Sequence, residues 1–226
     1  MKKILLISIC LFICLFSACS QSKNKEHQMK YLALGDSYTI GESVKQSERW
    51  PVVLIDRLRT TGFDIADPKI IATTGWTTGE LIEGIRKDGT HEQYDLVSLL
   101  IGVNNQYRGY DIEVYKKEFK QLLDQAITFS GNKKNRVFVV SIPDYGKTPF
   151  GQEKDPEKIA EELDIYNKIN REISEEAGVK YFDITPISRK ADLDPELVAS
   201  DELHPSAKMY EQWVNLIEKE VEYMLK

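Results

Sequence analysis

Five short apolar runs alternate along this chain with longer segments of helical period, and each run closes on a glycine, a proline or a polar cluster. That alternation constrains the fold more than any other feature. Every return to the sheet passes through a helix, so the strands cannot pair as tight hairpins and run parallel instead. The expected strands are 30–35, 69–73, 95–101, 136–142 and 179–184. The stretch 95–101 (DLVSLLI) is nearly unbroken in its apolar character, which predicts a strand buried on both faces. Helices are expected at 47–61, 77–87, 112–129, 156–177 and 205–225. Leu81, Ile82 and Ile85 share one face of the second. Val114, Phe119, Leu122, Leu123 and Ile127 are expected inward on the third, and Trp213, Leu216, Ile217 and Val221 on the last. The class is α/β with right-handed crossovers and one domain.

The chain starts with an address. Lys2 and Lys3 precede thirteen almost wholly apolar residues, Ile4 to Phe16. As a helix that run covers about 20 Å, short of a ~30 Å hydrocarbon layer but suited to a signal segment. Leu15-Phe16-Ser17-Ala18-Cys19 resembles a bacterial lipobox, with Phe16 where a smaller aliphatic is commoner. The resemblance implies that Cys19 is the lipidated first residue of a mature, membrane-anchored, exported lipoprotein. Residues 1–18 are then the signal peptide. Residues 19–28, polar and without apolar period, read as a flexible tether. The folded domain is expected over 29–226.

All three cysteines, Cys10, Cys14 and Cys19, lie in the first nineteen residues. The body therefore has no disulfide, no cysteine-ligated zinc and no cysteine nucleophile. A net charge of −6 without a long Lys/Arg block argues against a nucleic-acid partner. Neither a phosphate-binding G-x4-G-K-S/T nor a G-x-G-x-x-G pattern occurs, and no closely spaced histidine pair suggests a metal. No cofactor and no metal are expected. The oligomeric state is not legible.

An open parallel sheet binds ligands at the carboxyl ends of its strands. The first strand ends in Gly35-Asp36-Ser37, the second in Thr73-Thr74-Gly75-Trp76, the third in Gly102-Val103-Asn104-Asn105. Asp201-Glu202-Leu203-His204 follows the fifth. A hydroxyl, a glycine amide, a carboxamide and an Asp/His pair at one edge are the parts of an acyl-transfer site. Of the three histidines, His27 lies in the tether and His91 precedes the third strand, on the opposite edge. His204 alone follows a strand and precedes a helix. Singly, each residue has an ordinary role: Asp36 and Ser37 suit a helix cap, Asn104 a turn, Asp201 a helix start. It is their recurrence at successive strand ends that points to chemistry.

These residues resemble the SGNH/GDSL hydrolases. Ala33-Leu-Gly-Asp-Ser37 is similar to the first block of that family, Gly75 falls where its second-block glycine stands, Gly102-Val103-Asn104 resembles the third block, and Asp201-x-x-His204 the fifth. The resemblance implies a flavodoxin-like, three-layer α/β/α sandwich with a parallel five-stranded sheet. It also implies a serine esterase that works through an acyl-enzyme on Ser37, with His204 as base, Asp201 orienting it, and an oxyanion hole from Ser37, Gly75 and Asn104. The sequence departs from the pattern at Asn105, where Asp is usual, and in the Thr-Thr-Gly-Trp second block. Trp76, Tyr107, Tyr145 and Phe150 are loop aromatics expected to bind substrate, a small ester, a lipid or an acylated carbohydrate. Nothing in the residues selects among them, though no long apolar groove is evident, which favours short acyl groups. The Pro- and Gly-rich stretch 143–151 suggests a lid. Two other readings remain at this point: a flavodoxin-like binding protein whose hydroxyl-rich loop 37–43 cradles phosphate, and a catalytically inactive, surface-tethered binding module.

Overall fold

The computed structural model describes residues 28–226. The expected signal peptide, the lipidation site Cys19 and all but the last residue of the tether lie outside the described residues. Five parallel strands, β1 (Tyr31–Gly35), β2 (Lys69–Ala72), β3 (Leu96–Leu100), β4 (Val137–Val140) and β5 (Lys180–Phe182), form one sheet in the order β2-β1-β3-β4-β5. The helices, in chain order, are α1 (Ser37–Ile40), α2 (Trp50–Thr60), α3 (Thr78–Asp88), α4 (Val103–Tyr107), α5 (Ile112–Phe129), α6 (Pro149–Gln152), α7 (Pro156–Ala177), α8 (Thr185–Ser188) and α9 (Ala207–Leu225). The order 2-1-3-4-5 is that of the flavodoxin-like fold. Helix α2 packs on α9, while α5 packs on both α3 and α7, and these two groups cover the two faces of the sheet. Every residue of β1, β3 and β4 is buried, as strands covered on both sides must be.

The five long helices begin and end where local chemistry allows. Thr77 caps α3, and Glu80 returns the bond to the Thr77 N–H. Asp155 caps α7 ahead of Pro156, and Gly178 ends it in the left-handed conformation. Two side chains expected inward face outward: Val114 and Leu216 are both exposed. In α9 the inward stripe runs Tyr210, Trp213, Val214, Ile217, Val221, and Leu216 falls beside it. In α5 the stripe begins at Tyr115 rather than at Val114.

What the sheet does for function is to bring strand ends level. Gly35 pairs with both Ala72 and Leu100, so β1, β2 and β3 end on one line. The order reverses between β1 and β3, the position at which such sheets open a crevice. Gly35 is required there. A Cβ on it would lie 2.1 Å from Thr39 Oγ1 and 2.5 Å from the Leu100 carbonyl, because α1 folds straight back over the strand end.

The stretch 143–151 is a wall rather than a lid. Asp144 is buried, its N–H donates to Ser188 Oγ at 2.8 Å, and its carboxylate takes Arg189 Nε at 2.8 Å. Residues Tyr145–Lys147 form a 3-10 turn and α6 follows, with Gly151 packed on the Tyr145 carbonyl.

Candidate active site

Asp36 caps α1, accepting the Tyr38 N–H at 3.1 Å, and sets Ser37 as the first residue of the helix. Asp36 is fully buried. Burial raises its carboxyl to about 7, against the pull of the Tyr38 and Gly102 N–H groups. Ser37 is buried too, yet its hydroxyl and its N–H have no hydrogen-bond partner among the described residues. From the other side comes the turn before α9. His204 Nδ1 lies 2.6 Å from Asp201 Oδ2, and Asp201 Oδ1 accepts the N–H groups of Leu203 (3.1 Å) and His204 (2.9 Å). Burial alone would raise the Asp201 carboxyl. The hydrogen bonds from Ser43, His204 and Leu203 outweigh it and hold the group down to about 2. Asp201 is thus an anion at any pH near neutrality, and the proton between the two groups rests on His204 Nδ1. In the neutral imidazole with that tautomer, the lone pair is on Nε2.

Ser37 and His204 line one cavity of about 170 Å³, together with Tyr38, Val103, Asn104, Tyr107, Tyr145, Phe150 and Leu203. Its wall is mostly apolar, with few polar groups converging on it, as in ligand sites generally. The rings of Tyr107, Tyr145 and Phe150 stand 6.1–6.4 Å apart and form one side. Lys154 lies over Phe150 and Tyr107. Tyr38 meets the His204 ring edge-on, with centroids 5.8 Å apart.

Asn104 and Gly75 belong to two segments sewn together. Asn104 Nδ2 donates to the Trp76 carbonyl at 3.0 Å, which aims the carboxamide, and Arg108 donates to the Gly75 carbonyl. Gly75 has φ +84°, a conformation that favours glycine. Its N–H has no partner among the described residues. Asn105 is fully buried: its carbonyl accepts Thr78 N–H at 3.0 Å and its amide donates to Thr78 Oγ1 at 2.7 Å. The Thr78 hydroxyl gives its own proton to Glu118. A carboxylate at 105 would leave two acceptors competing for that one proton, so a donor is needed there, and this accounts for the amide.

Of the residues singled out in the sequence, Ser37, Asn104, His204, Tyr107, Tyr145 and Phe150 come together on the cavity, with Asp201 behind His204. Trp76 does not. Its ring lies against Gly84 of α3, so closely that a Cβ on that glycine would meet it at 2.2 Å. Gly75 stands beside the cavity rather than on its lining. Tyr38, Val103 and Leu203 are lining residues that sequence reasoning did not pick out. Each is the chain neighbour of a residue it did, which is the signal that would have found them. The loop 37–43 offers no open cradle for a phosphate: Thr39 is buried, Thr74 donates to Glu42, and the Ser43 hydroxyl is engaged by Asp201. Among the described residues no group of three or more His, Cys, Asp and Glu side chains is arranged to hold a metal.

An unpartnered serine, a histidine on the same cavity and a carboxylate on that histidine's Nδ1 are the side chains that a serine-hydrolase site employs. The chain belongs to the GDSL-like Lipase/Acylhydrolase family, which it matches over residues 33–212. An arylesterase of Vibrio mimicus is 31% identical to it over 144 residues, which are 63% of this chain and 67% of that protein. TesA shares the fold with a TM-score of 0.69 at 14% identity, over 87% of this chain and 99% of its own. So does a variant of Axe2, an acetyl xylan esterase from Geobacillus stearothermophilus, with a TM-score of 0.60 at 19% identity, over 85% and 94%.

Proposed function

We propose that this protein hydrolyses carboxylic esters of short acyl groups through an acyl-enzyme on Ser37. The observation that carries the reading is the shared cavity of Ser37 and His204, with Asp201 on His204 Nδ1. His204 Nε2 takes the proton of Ser37 Oγ as that oxygen bonds to the ester carbonyl carbon. The carbonyl oxygen becomes an anion, met by the N–H groups of Ser37 and Gly75 and by the Asn104 amide. The C–O bond to the alcohol then breaks, and the alkoxide leaves with the proton held by His204. Water repeats the sequence on the acyl-enzyme and releases the acid. Asp201 keeps the imidazole in the tautomer this needs and stabilises its charged form.

The cavity volume supports a short acyl group. The cavity is about 170 Å³, opens to solvent, and seats a small acyl group beside Ser37. The Tyr107, Tyr145 and Phe150 rings suit an apolar or aromatic part of such a substrate, and the likeness to an arylesterase points the same way. The test is a series of p-nitrophenyl esters from two to sixteen acyl carbons. Activity should peak at the short end and vanish in Ser37→Ala, together with labelling by a fluorophosphonate. Hydrolysis by Ser37→Ala close to wild type would overturn the assignment.

We further propose export as a lipoprotein anchored at Cys19. The folded chain starts at the amino edge of the sheet, where Met29 bridges to Ile65, and the cavity lies at the carboxyl edge. An anchored domain therefore carries its cavity on the side remote from its attachment, which favours substrates presented from outside that bilayer. In cell fractionation the full chain should follow the membrane and Cys19→Ser should leave it; a Cys19→Ser protein that stays membrane-bound refutes the anchor.

A further inference from the structure

Asp201 receives four donors. Three come from its own turn: the N–H groups of Leu203 and His204, and His204 Nδ1. The fourth is the hydroxyl of Ser43, 158 positions earlier, and it shares Oδ2 with the imidazole. Ser43 stands on the connection leaving α1. Gly41 and Glu42 on that connection both donate their N–H groups to the Ser37 carbonyl, at 3.0 and 3.1 Å. One short stretch thus holds the nucleophile at one end and the acid at the other.

The backbone carries a second sign. Among the described residues only Ser43, Asn132 and Glu202 are non-glycine residues at positive φ, at 65°, 63° and 64°. Asn132 lies in a turn after α5, where asparagine tolerates that conformation. The other two meet at Asp201: Glu202 follows it in the chain and Ser43 bonds its carboxylate. A glycine at 43 would adopt this backbone with less strain, and Ser43 is exposed, so its hydroxyl has water available. Neither backbone preference nor burial explains a serine there. Its bond to Asp201 does.

We infer that Ser43 is a positioning residue of the hydrolytic site, orienting the Asp201 carboxylate and, by sharing Oδ2, moderating the negative charge that faces the His204 imidazole. The inference rests on the esterase reading. The other ionisable groups around the pair include Glu42 and Arg49 of the same connection, Glu202 in the turn, Asp36 beneath Ser37, and Tyr145 across the cavity with Asp144, which pairs with Arg189; burial keeps Tyr38, Tyr145 and Tyr210 as neutral phenols. None of these is altered by a change at 43.

The experiment compares Ser43→Ala and Ser43→Gly with wild type in the full chain, on one short ester, with Ser37→Ala as the control that the ester is turned over by this site. Both variants should lose about tenfold in kcat with KM little changed. The acid limb of the kcat/KM profile should move to higher pH by a few tenths of a unit. A carboxylate relieved of one donor concentrates its charge on the imidazole and favours the protonated, inactive base. Ser43→Gly, freed of the left-handed strain, should melt no lower than wild type. Wild-type kcat in Ser43→Gly, or lost activity with the acid limb unmoved, overturns the inference. Undiminished hydrolysis by Ser37→Ala instead removes the esterase reading beneath it.

Discussion

Ser37 and Asn104 stand on short helices that leave buried strands, whereas Asp201 and His204 stand on a turn held by hydrogen bonds. The first pair inherits its position from the sheet. Gly35 and Leu100 pair across β1 and β3, both strands are buried throughout, and α1 and α4 start within three residues of their ends. The second pair has no strand beneath it. Its carboxylate is placed by four donors, its backbone includes a left-handed glutamate, and a tie from Tyr210 on α9 to the Tyr38 carbonyl links the following helix to α1. Ser37 is therefore seated on packing, and the Asp201–His204 pair on directional polar bonds. A residue seated on packing depends on apolar burial around it, while a polar cluster couples its donors and acceptors, so the loss of one is felt by the rest.

The largest way to break that contrast is Asp201→Asn. The N–H groups of Leu203 and His204 hold the oxygen at the Oδ1 position, so the new NH2 must face His204 Nδ1. The imidazole would then carry its proton on Nε2 and could not accept one from Ser37. A loss of roughly 10³- to 10⁴-fold in kcat is expected, with the fold and the melting temperature little altered. A loss under tenfold would mean that the turn does not set the tautomer.

A smaller effect sharpens the other half. Asn105→Asp restores the residue usual in the family but buries a carboxylate opposite a Thr78 hydroxyl already committed to Glu118. Destabilisation of about 1–3 kcal/mol at pH 7 is expected in chemical denaturation. The sign follows from burial without a donor, which raises the folded pKa above the unfolded one. The penalty is absent below the unfolded pKa and grows as pH rises through the folded value, so the gap from wild type should close toward pH 4. An equal gap at both pH values would place the cost in packing instead.

The element pattern was legible because burial on both faces leaves unbroken apolar runs and one-sided burial leaves a helical period. The sequence places the first three strand ends at 35, 73 and 101, within one residue of the observed 35, 72 and 100, and with them the convergence of Ser37 and Asn104. Trp76 was not legible. Its place after Gly75 suggested the cavity, yet the bare face of Gly84 on α3 receives the ring, and no local pattern links the two. The stretch 143–151 looked mobile from its prolines and glycines, while Asp144 and Arg189, far apart in sequence, fasten it.

From the residues alone came the parallel α/β architecture, the edge at which chemistry collects, and the elimination of every histidine but His204. These follow from periodicity and from the parallel strand's single direction, which are properties of neighbouring residues. Only the tertiary structure decided that Ser43 meets Asp201, that Asn105 donates to Thr78, and that Tyr107, Tyr145 and Phe150 stand together on the cavity while Trp76 does not. Such contacts join positions far apart in the chain, and a bond of 3 Å depends on the path of every loop between them.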